Sequence, residues 1–468
     1  MLTPDQINAL NPWWTDPTWD PASDVHLAAA AQAPFTWDPR PFDAADVTSG
    51  AVFTLRGPRQ SGKTTLTKRL IAERVAAGRA HRTCFLTLRM VATQDDLNEA
   101  LETVLRLWPD DQHPWLFVLD ELTFVKGWAN VVGHLHEHNP SFKRATVLLT
   151  GSSAADLVES ADILHGRRGR GRHPLDRLHT AMTFRDYVAA RAPAALPPER
   201  ISLGQMLTPE GRHAVLLAAL RATELDQYLG EYALSGGLPA PIADMLATHA
   251  VDPGTVQELW RGLSADVRRL DRSEDRLEKL LSRLVVALGS LTNLSDLAVH
   301  MGVTKPTASS YLDLLAKSFG LMVIHQPDPR RQGGPSPTKP RKLYFGDAGF
   351  AAIPSILGGP TPALPALVEN LLAIALFRHA ERDGLERYSA PRRLFFWRSS
   401  DGREIDFLTE VAGRNLPLES KYAVAPTGKD YESMTKAFGR GVMVSRRTTV
   451  TDREILTVPA GVLLSLLG

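Results

Sequence analysis

The stretch Gly57-Pro58-Arg59-Gln60-Ser61-Gly62-Lys63-Thr64 constrains this chain more than any other. It fits G-x-x-x-x-G-K-[ST], a loop that wraps backbone around phosphate. Its surroundings agree. Ala51-Val52-Phe53-Thr54-Leu55-Arg56 reads as a buried strand, and residues 64–77 as a helix with Leu66, Leu70, Ile71 and Val75 on one face. Glycine tolerates the backbone angles that such a wrap demands. The loop N–H groups and the positive helix N-terminus then face an anion. The expected ligand is ATP with Mg²⁺, contacted along Gly57, Pro58, Arg59, Gln60, Ser61, Gly62, Lys63, Thr64 and Thr65. Lys63 would reach the β/γ-phosphates, and the Thr64 hydroxyl would ligate the metal.

Residues 49–180 continue the theme. Strands are expected at 51–56, 83–88, 115–120 and 145–150, with helices at 64–77, 94–107 and 127–138. Such alternation implies a parallel sheet covered on both faces. The third strand runs Leu116-Phe117-Val118-Leu119 into Asp120-Glu121, the Walker B pattern. Asp120 can hold Mg²⁺ through water, and Glu121 can orient the attacking water as the catalytic base. At the end of the fourth strand, Thr150 and Ser152 are candidates for the γ-phosphate, or simply members of a strand-to-helix turn. The basic loop Leu164 to Arg172 carries Arg167, Arg168, Arg170 and Arg172. It could supply an arginine finger, with Arg167 as the expected nucleotide contact, touch nucleic-acid phosphates, or be solvated.

Length predicts roughly three domains. The composition, 44% hydrophobic and 22% charged with net charge +1, is that of an ordinary soluble protein, so any nucleic-acid surface must be local. The single cysteine, Cys84, excludes an internal disulfide and a cysteine-rich zinc site. No apolar run reaches membrane-spanning length and no secretory pattern opens the chain, so the expectation is a cytoplasmic protein without membrane contact. Residues 1–48 form an arm punctuated by Pro4, Pro12, Pro17, Pro21, Pro34, Pro39 and Pro41. Helix is expected there only at Asp24 to Ala31. Trp13, Trp14, Trp19, Phe35 and Trp37 suit a strap across the core or a partner-binding arm.

The order GPRQSGKTT, FVLDEL, VLLTGSSAADL, HGRRGR, MTFRDYV resembles the AAA+-type, archaeal STAND-related ATPases that carry an uncharacterised nuclease-like C-terminal domain. YLGEYALSGGLPAPI at 228–242 is similar to that family's Gly-Gly-x-Pro segment. The resemblance spans residues 49–460, although Thr150 departs from the usual Asn at the sensor position. It implies an α/β chain with a P-loop ATPase sheet and, over 181–270, a helical lid.

Residues 271–345 read as a winged helix. A helix from Leu294, a Met301-Gly302-Val303 turn and a second helix N-capped by Thr304 precede wing strands at 321–324 and 342–345. DNA contact would use Lys305, Thr307, Ser309 and Ser310 in the groove, with Arg330, Arg331, Lys339 and Arg341 on phosphates, or the module would contact only protein. Residues 346–468 are similar to the restriction-endonuclease-like PD-(D/E)XK core. Asp406 closes one strand, and Glu419 and Lys421 share a face of the next. That resemblance implies Asp406, Glu419 and Lys421 as catalytic residues, and Glu369, Asp406 and Glu419 as metal ligands. Ile405 stands where the superfamily's proline is usual. The expected function is an ATPase that binds or processes DNA, and the alternative is a STAND-like switch or scaffold with an inactive nuclease-like domain. Either allows a homo-oligomer.

Overall fold

The computed structural model describes residues 2–467 apart from 44, 109–112, 152–163, 165, 171–173, 329–333, 337–338 and 381–392. Ser152, Arg172, Arg330 and Arg331 therefore lie outside the described residues. The chain divides into two units, Met1–Thr180 and Ala181–Gly468.

The first unit is built on a parallel sheet of five strands: β1 (Val52–Arg56), β2 (Thr83–Thr87), β3 (Leu116–Asp120), β4 (Thr146–Gly151) and β5 (Asp176–Leu178). Their order is β2-β3-β4-β1-β5. The four main strands are apolar on both faces because helices cover both, and every residue of β1, β3 and β4 is buried. The expected helices are present at Lys63–Ala76, Gln94–Leu107 and Trp128–His138. The fifth strand was not anticipated. It is three half-buried residues long, too short and polar for a hydropathy signal.

The arm carries an unexpected first helix, Pro4–Leu10, closed by a capping box between Thr3 and Gln6. It then runs along the edge of β2. Asn11 accepts from the Phe85 N–H at 2.7 Å and donates to the Phe85 carbonyl at 3.0 Å, as a neighbouring strand would. The Trp13 and Trp14 indoles both donate to the Thr83 carbonyl at 2.9 Å. These bonds satisfy an edge that would otherwise invite pairing.

The second unit opens with a run of helices from Phe184–Arg191 to Glu274–Val286. Gly236-Gly237 joins two of them and is locked by Asp347, whose carboxylate accepts from the Gly237 N–H at 2.9 Å and the Gly349 N–H at 2.9 Å. A Cβ on Gly237 would fall 2.3 Å from the Met182 carbonyl oxygen, so no larger residue fits.

After Glu274–Val286 come β6 (Leu291–Thr292), helices Leu294–Met301 and Lys305–Lys317, and β7 (Leu321–Ile324). A small ribbon, β8 (Pro327–Asp328) and β9 (Gly334–Pro335), leads to β10 (Arg341–Phe345). β10 pairs antiparallel with both β6 and β7. The last sheet runs β11 (Leu394–Arg398), β12 (Glu404–Val411), β13 (Arg414–Ser420), β14 (Gly441–Ser445) and β15 (Ile455–Pro459) in that spatial order. It is antiparallel through β13 and parallel thereafter. The helix Leu364–Ala380 is buried along most of its length between these layers. Its Asn370 amide accepts from the Phe345 N–H at 2.7 Å and donates to the Phe345 carbonyl at 3.1 Å, clamping β10.

Candidate functional site

The phosphate loop runs from the end of β1 into the helix Lys63–Ala76. Gln60 and Gly62 both take positive φ, at 61° and 92°, the kind of turn by which backbone N–H groups form an anion-binding concavity. Gly57 is required for a different reason. His179 donates its N–H to the Arg56 carbonyl at 2.7 Å, and a Cβ on Gly57 would sit 2.0 Å from the His179 carbonyl oxygen. The His179 ring also bonds the Ser61 carbonyl at 2.7 Å and stacks on Trp37 of the arm at 5.3 Å. Trp37 was among the arm aromatics expected to strap the core, whereas His179 carried no sequence signal, because it is distant in the chain and belongs to no motif.

Lys63 is buried and donates to the Gly57 and Pro58 carbonyls at 2.9 and 2.7 Å. Burial pulls its ammonium down to about 8, while Glu121 and Asp120 work in the opposite direction. Thr64 Oγ1 donates to Asp120 Oδ2 at 3.1 Å. β4 lies between β1 and β3, so its last residues reach the same edge. Thr150 there donates to Asp120 Oδ1 and accepts from the Glu121 N–H at 3.3 Å. Lys63, Thr64, Asp120, Glu121 and Thr150 are thus brought together as expected from their spacing, and Thr65 follows in the first helical turn.

Glu121 adopts left-handed φ, 59°, a strained state for a side-chain residue. One carboxylate oxygen meets Arg89 at 3.1 Å, and the other is buried without a hydrogen-bond partner, as is the Ser61 hydroxyl. Buried orphan polar atoms are uncommon and point to an absent polar ligand. The Thr64 hydroxyl and Asp120 carboxylate are hard oxygen donors, the set Mg²⁺ takes. Arg89 was missed, since it lies in the turn after β2 with no motif around it. Arg167 pairs with Glu137. Arg168 is absorbed by the fold, holding Asp176 through two 3.0 Å bonds and the Val52 carbonyl at 3.1 Å.

The second unit assembles a carboxylate cluster. β12–β13 register places Asp406 across from Glu419. The Asp406 N–H donates to Glu419 Oε2 at 3.1 Å, the Ser420 N–H to Asp406 Oδ2 at 2.9 Å, and Lys421 pairs with Glu419 Oε1 at 2.8 Å. Glu369 reaches the same place from its helix and accepts from the Tyr344 hydroxyl at 2.7 Å. The expected quartet therefore converges. An unexpected member joins it: Lys342 of β10, 1% exposed, lies 2.7 Å from Asp406 Oδ1, 3.0 Å from Glu404 and 3.6 Å from Glu369. The signal in the sequence was a lysine directly abutting the apolar run Leu343-Tyr344-Phe345 within one strand. Burial opposes its charge, but Asp406, Glu369 and Glu404 outweigh it and raise its pKa above the ordinary lysine range. Burial and the neighbouring Asp406 push Glu369 and Glu419 well above the usual carboxylate range. Among the described residues no group of three or more His, Cys, Asp or Glu is disposed to hold a metal ion. Glu369, Asp406 and Glu419 as they stand thus do not fit a divalent ion.

Of the expected DNA contacts, Lys305 and Lys339 are exposed, while Thr307, Ser309, Ser310 and Arg341 are half-buried. The Ser310 hydroxyl is already engaged by the Thr307 carbonyl at 2.7 Å and Arg272 at 2.8 Å. No helix among the described residues is long and apolar enough to cross a membrane.

Residues 49–179 match the AAA domain family. Residues 226–358 and 365–460 match two domains of unknown function, DUF8612 and DUF4143. No curated protein matches the chain. Among solved structures, the chain is similar to the Walker-type ATPase PABY2304 of Pyrococcus abyssi, at 13% identity and TM-score 0.41, covering 70% of this chain and 93% of that one. It is also similar to the ORC2 protein of Aeropyrum pernix in its ADPNP–ADP complexes (14%, TM-score 0.33, 70% and 89%). A third is the Aeropyrum pernix ORC1 protein in complex with DNA (16%, TM-score 0.29, 73% and 95%). At these TM-scores the likenesses add nothing to the family match, which supports an AAA-type P-loop ATPase domain, and so nucleotide binding, over residues 49–179.

Proposed function

We propose that the protein hydrolyses ATP at the edge shared by β1, β3 and β4, and that the second unit couples this to DNA. The observation that carries the reading is the orphaned Glu121 oxygen beside the Thr64–Asp120–Thr150 network. Mg²⁺ held by Thr64 and Asp120 would neutralise charge on the β- and γ-phosphate oxygens. Lys63 would exchange the Gly57 and Pro58 carbonyls for phosphate oxygens. Burial makes that exchange favourable, since the ammonium gains a full counter-charge. Glu121 Oε2 would accept the proton of the attacking water, and Thr150 would hold Asp120 and the Glu121 backbone in place. Arg167 as a finger for a neighbouring subunit belongs to the same proposal.

The DNA part rests on the module from Glu274–Val286 to β10, whose helix–strand–helix–helix–hairpin order is that of a winged helix, with exposed Lys305 at the start of its second helix. β11–β15 with Asp406, Glu419 and Lys421 would be the restriction-endonuclease-like part. A second reading, a nucleotide switch whose nuclease-like part only docks, is favoured by the Lys342 ammonium inside the carboxylate cluster. Steady-state ATP hydrolysis by wild type and Glu121→Gln, with and without duplex DNA, tests both. Turnover that DNA accelerates and Glu121→Gln abolishes supports the first. Glu121-dependent turnover indifferent to DNA leaves the switch. Turnover that persists in Glu121→Gln removes the assigned base.

A further inference from the structure

We infer that Lys342 is the resident cation of the carboxylate cluster, an internal ion-pair lock that fastens β10 to the C-terminal sheet and occupies the position a divalent ion would need at Asp406. Lys342 is held between two strands, in register with Leu291 of β6 and Ile324 of β7, so the strand fixes where its side chain goes. Its ammonium is within 2.7–3.6 Å of carboxylates from β12 and from the helix Leu364–Ala380. One cation therefore ties three elements together.

Both oxygens of Asp406 and of Glu419, and one of Glu369, are already engaged. Asp406 gives one to Lys342 and the other to the Ser420 N–H. Glu419 gives one to Lys421 and the other to the Asp406 N–H. Glu369 Oε1 accepts from Tyr344, which also belongs to β10. A divalent ion takes carboxylate oxygens at roughly 2.0–2.6 Å. It would have to expel a like-charged ammonium whose strand is paired on both sides and clamped by Asn370. The same lysine explains how the buried or half-buried Asp406, Glu404 and Glu369 are tolerated, with Lys421 serving Glu419, since unpaired buried charge is strongly unfavourable. The inference does not depend on ATP hydrolysis and survives its failure.

Mn²⁺ binding to the nucleotide-free full chain, followed by electron paramagnetic resonance, tests it together with thermal melting. Asp120→Asn serves as the control for the ATPase metal. In wild type, no saturable Mn²⁺ site sensitive to Asp406→Asn is expected. Lys342→Met should lower the melting temperature of the second unit by roughly 5–10 °C. The pair Lys342→Met/Asp406→Asn should regain part of that loss, because both charges leave together. A wild-type Mn²⁺ site that Asp406→Asn abolishes would overturn the inference, and so would Lys342→Met melting with wild type. Should Lys342→Met fail to fold, the wild-type titration and the double variant still decide.

Discussion

Thr64 Oγ1 and Asp120 Oδ2 lie 3.1 Å apart, joining the first turn of the phosphate-loop helix to the end of β3 across 56 residues of chain. Both oxygens are ones a Mg²⁺ ion would share, and metal binding would replace the hydrogen bond between them. Asp120→Asn should then lower Mg²⁺-dependent ATP hydrolysis by about two orders of magnitude or more, while costing the nucleotide-free fold only about 1 kcal/mol of hydrogen bonding. Malachite-green phosphate release and a melting curve measure the two. Full Mg²⁺-dependent activity in the variant would remove Asp120 from the metal.

Glu121→Gln keeps the size of the side chain and removes its basicity. Hydrolysis should fall by roughly 10²–10⁴, the usual worth of a general base, with ATP affinity largely retained. Equilibrium binding of a fluorescent ATP analogue separates the two effects. A parallel loss of binding would mean that Glu121 holds nucleotide rather than water.

Arg89 ties down the Glu121 oxygen that is not orphaned. Arg89→Ala should release the carboxylate and raise basal turnover by a few-fold, with little change in KM. Since Arg89 is itself largely exposed, the fold should not suffer. Turnover unchanged or lowered would show that the pair positions Glu121 instead of restraining it.

Gly237→Ala should destabilise the second unit by about 1–3 kcal/mol, because its Cβ meets the Met182 carbonyl at 2.3 Å and backbone must move. The Asp347–Gly237 bond would be strained with it. Differential scanning calorimetry reads this directly, and an unchanged upper transition would contradict it.

His325 gives a pH dependence. Its carbonyl accepts from the Phe396 N–H of β11 at 3.1 Å, and its ring meets the Ser336 carbonyl at 3.2 Å. Burial, then the nearby Arg341 charge, hold its pKa below the ordinary histidine value, with the Ser336 bond opposing. A depressed folded pKa means that the unfolded chain binds the proton first. The stabilisation is complete above the ordinary histidine pKa and is lost as pH falls through the folded value. Wild type should therefore lose melting temperature between pH 7.5 and 5 more steeply than His325→Gln. Coincident slopes would rule histidine out.

The nucleotide edge was legible in the sequence because its signals are local. The glycine spacing, the apolar run ending in Asp120-Glu121 and the strand ending at Thr150 each state their geometry within a few residues. The lengths of the main strands and helices followed from periodicity in the same way, to within a residue or two at their ends. The meeting of Asp406 with Glu419 was expected from the nuclease resemblance, but not its register: β12 does not close at Asp406, it runs on to Val411 and turns through Ala412-Gly413 into β13.

What only the tertiary structure decided is which charges meet. Arg168 is spent on Asp176, Arg89 holds Glu121, His179 and Trp37 back the phosphate loop, and Lys342 enters a carboxylate cluster 64 residues further along the chain. Hydrophobic periodicity determines which faces are buried, but not which elements those faces meet. Charge partners depend on that second choice, made only when the layers close, and in a dry interior a carboxylate must take whatever cation the closing layers bring to it.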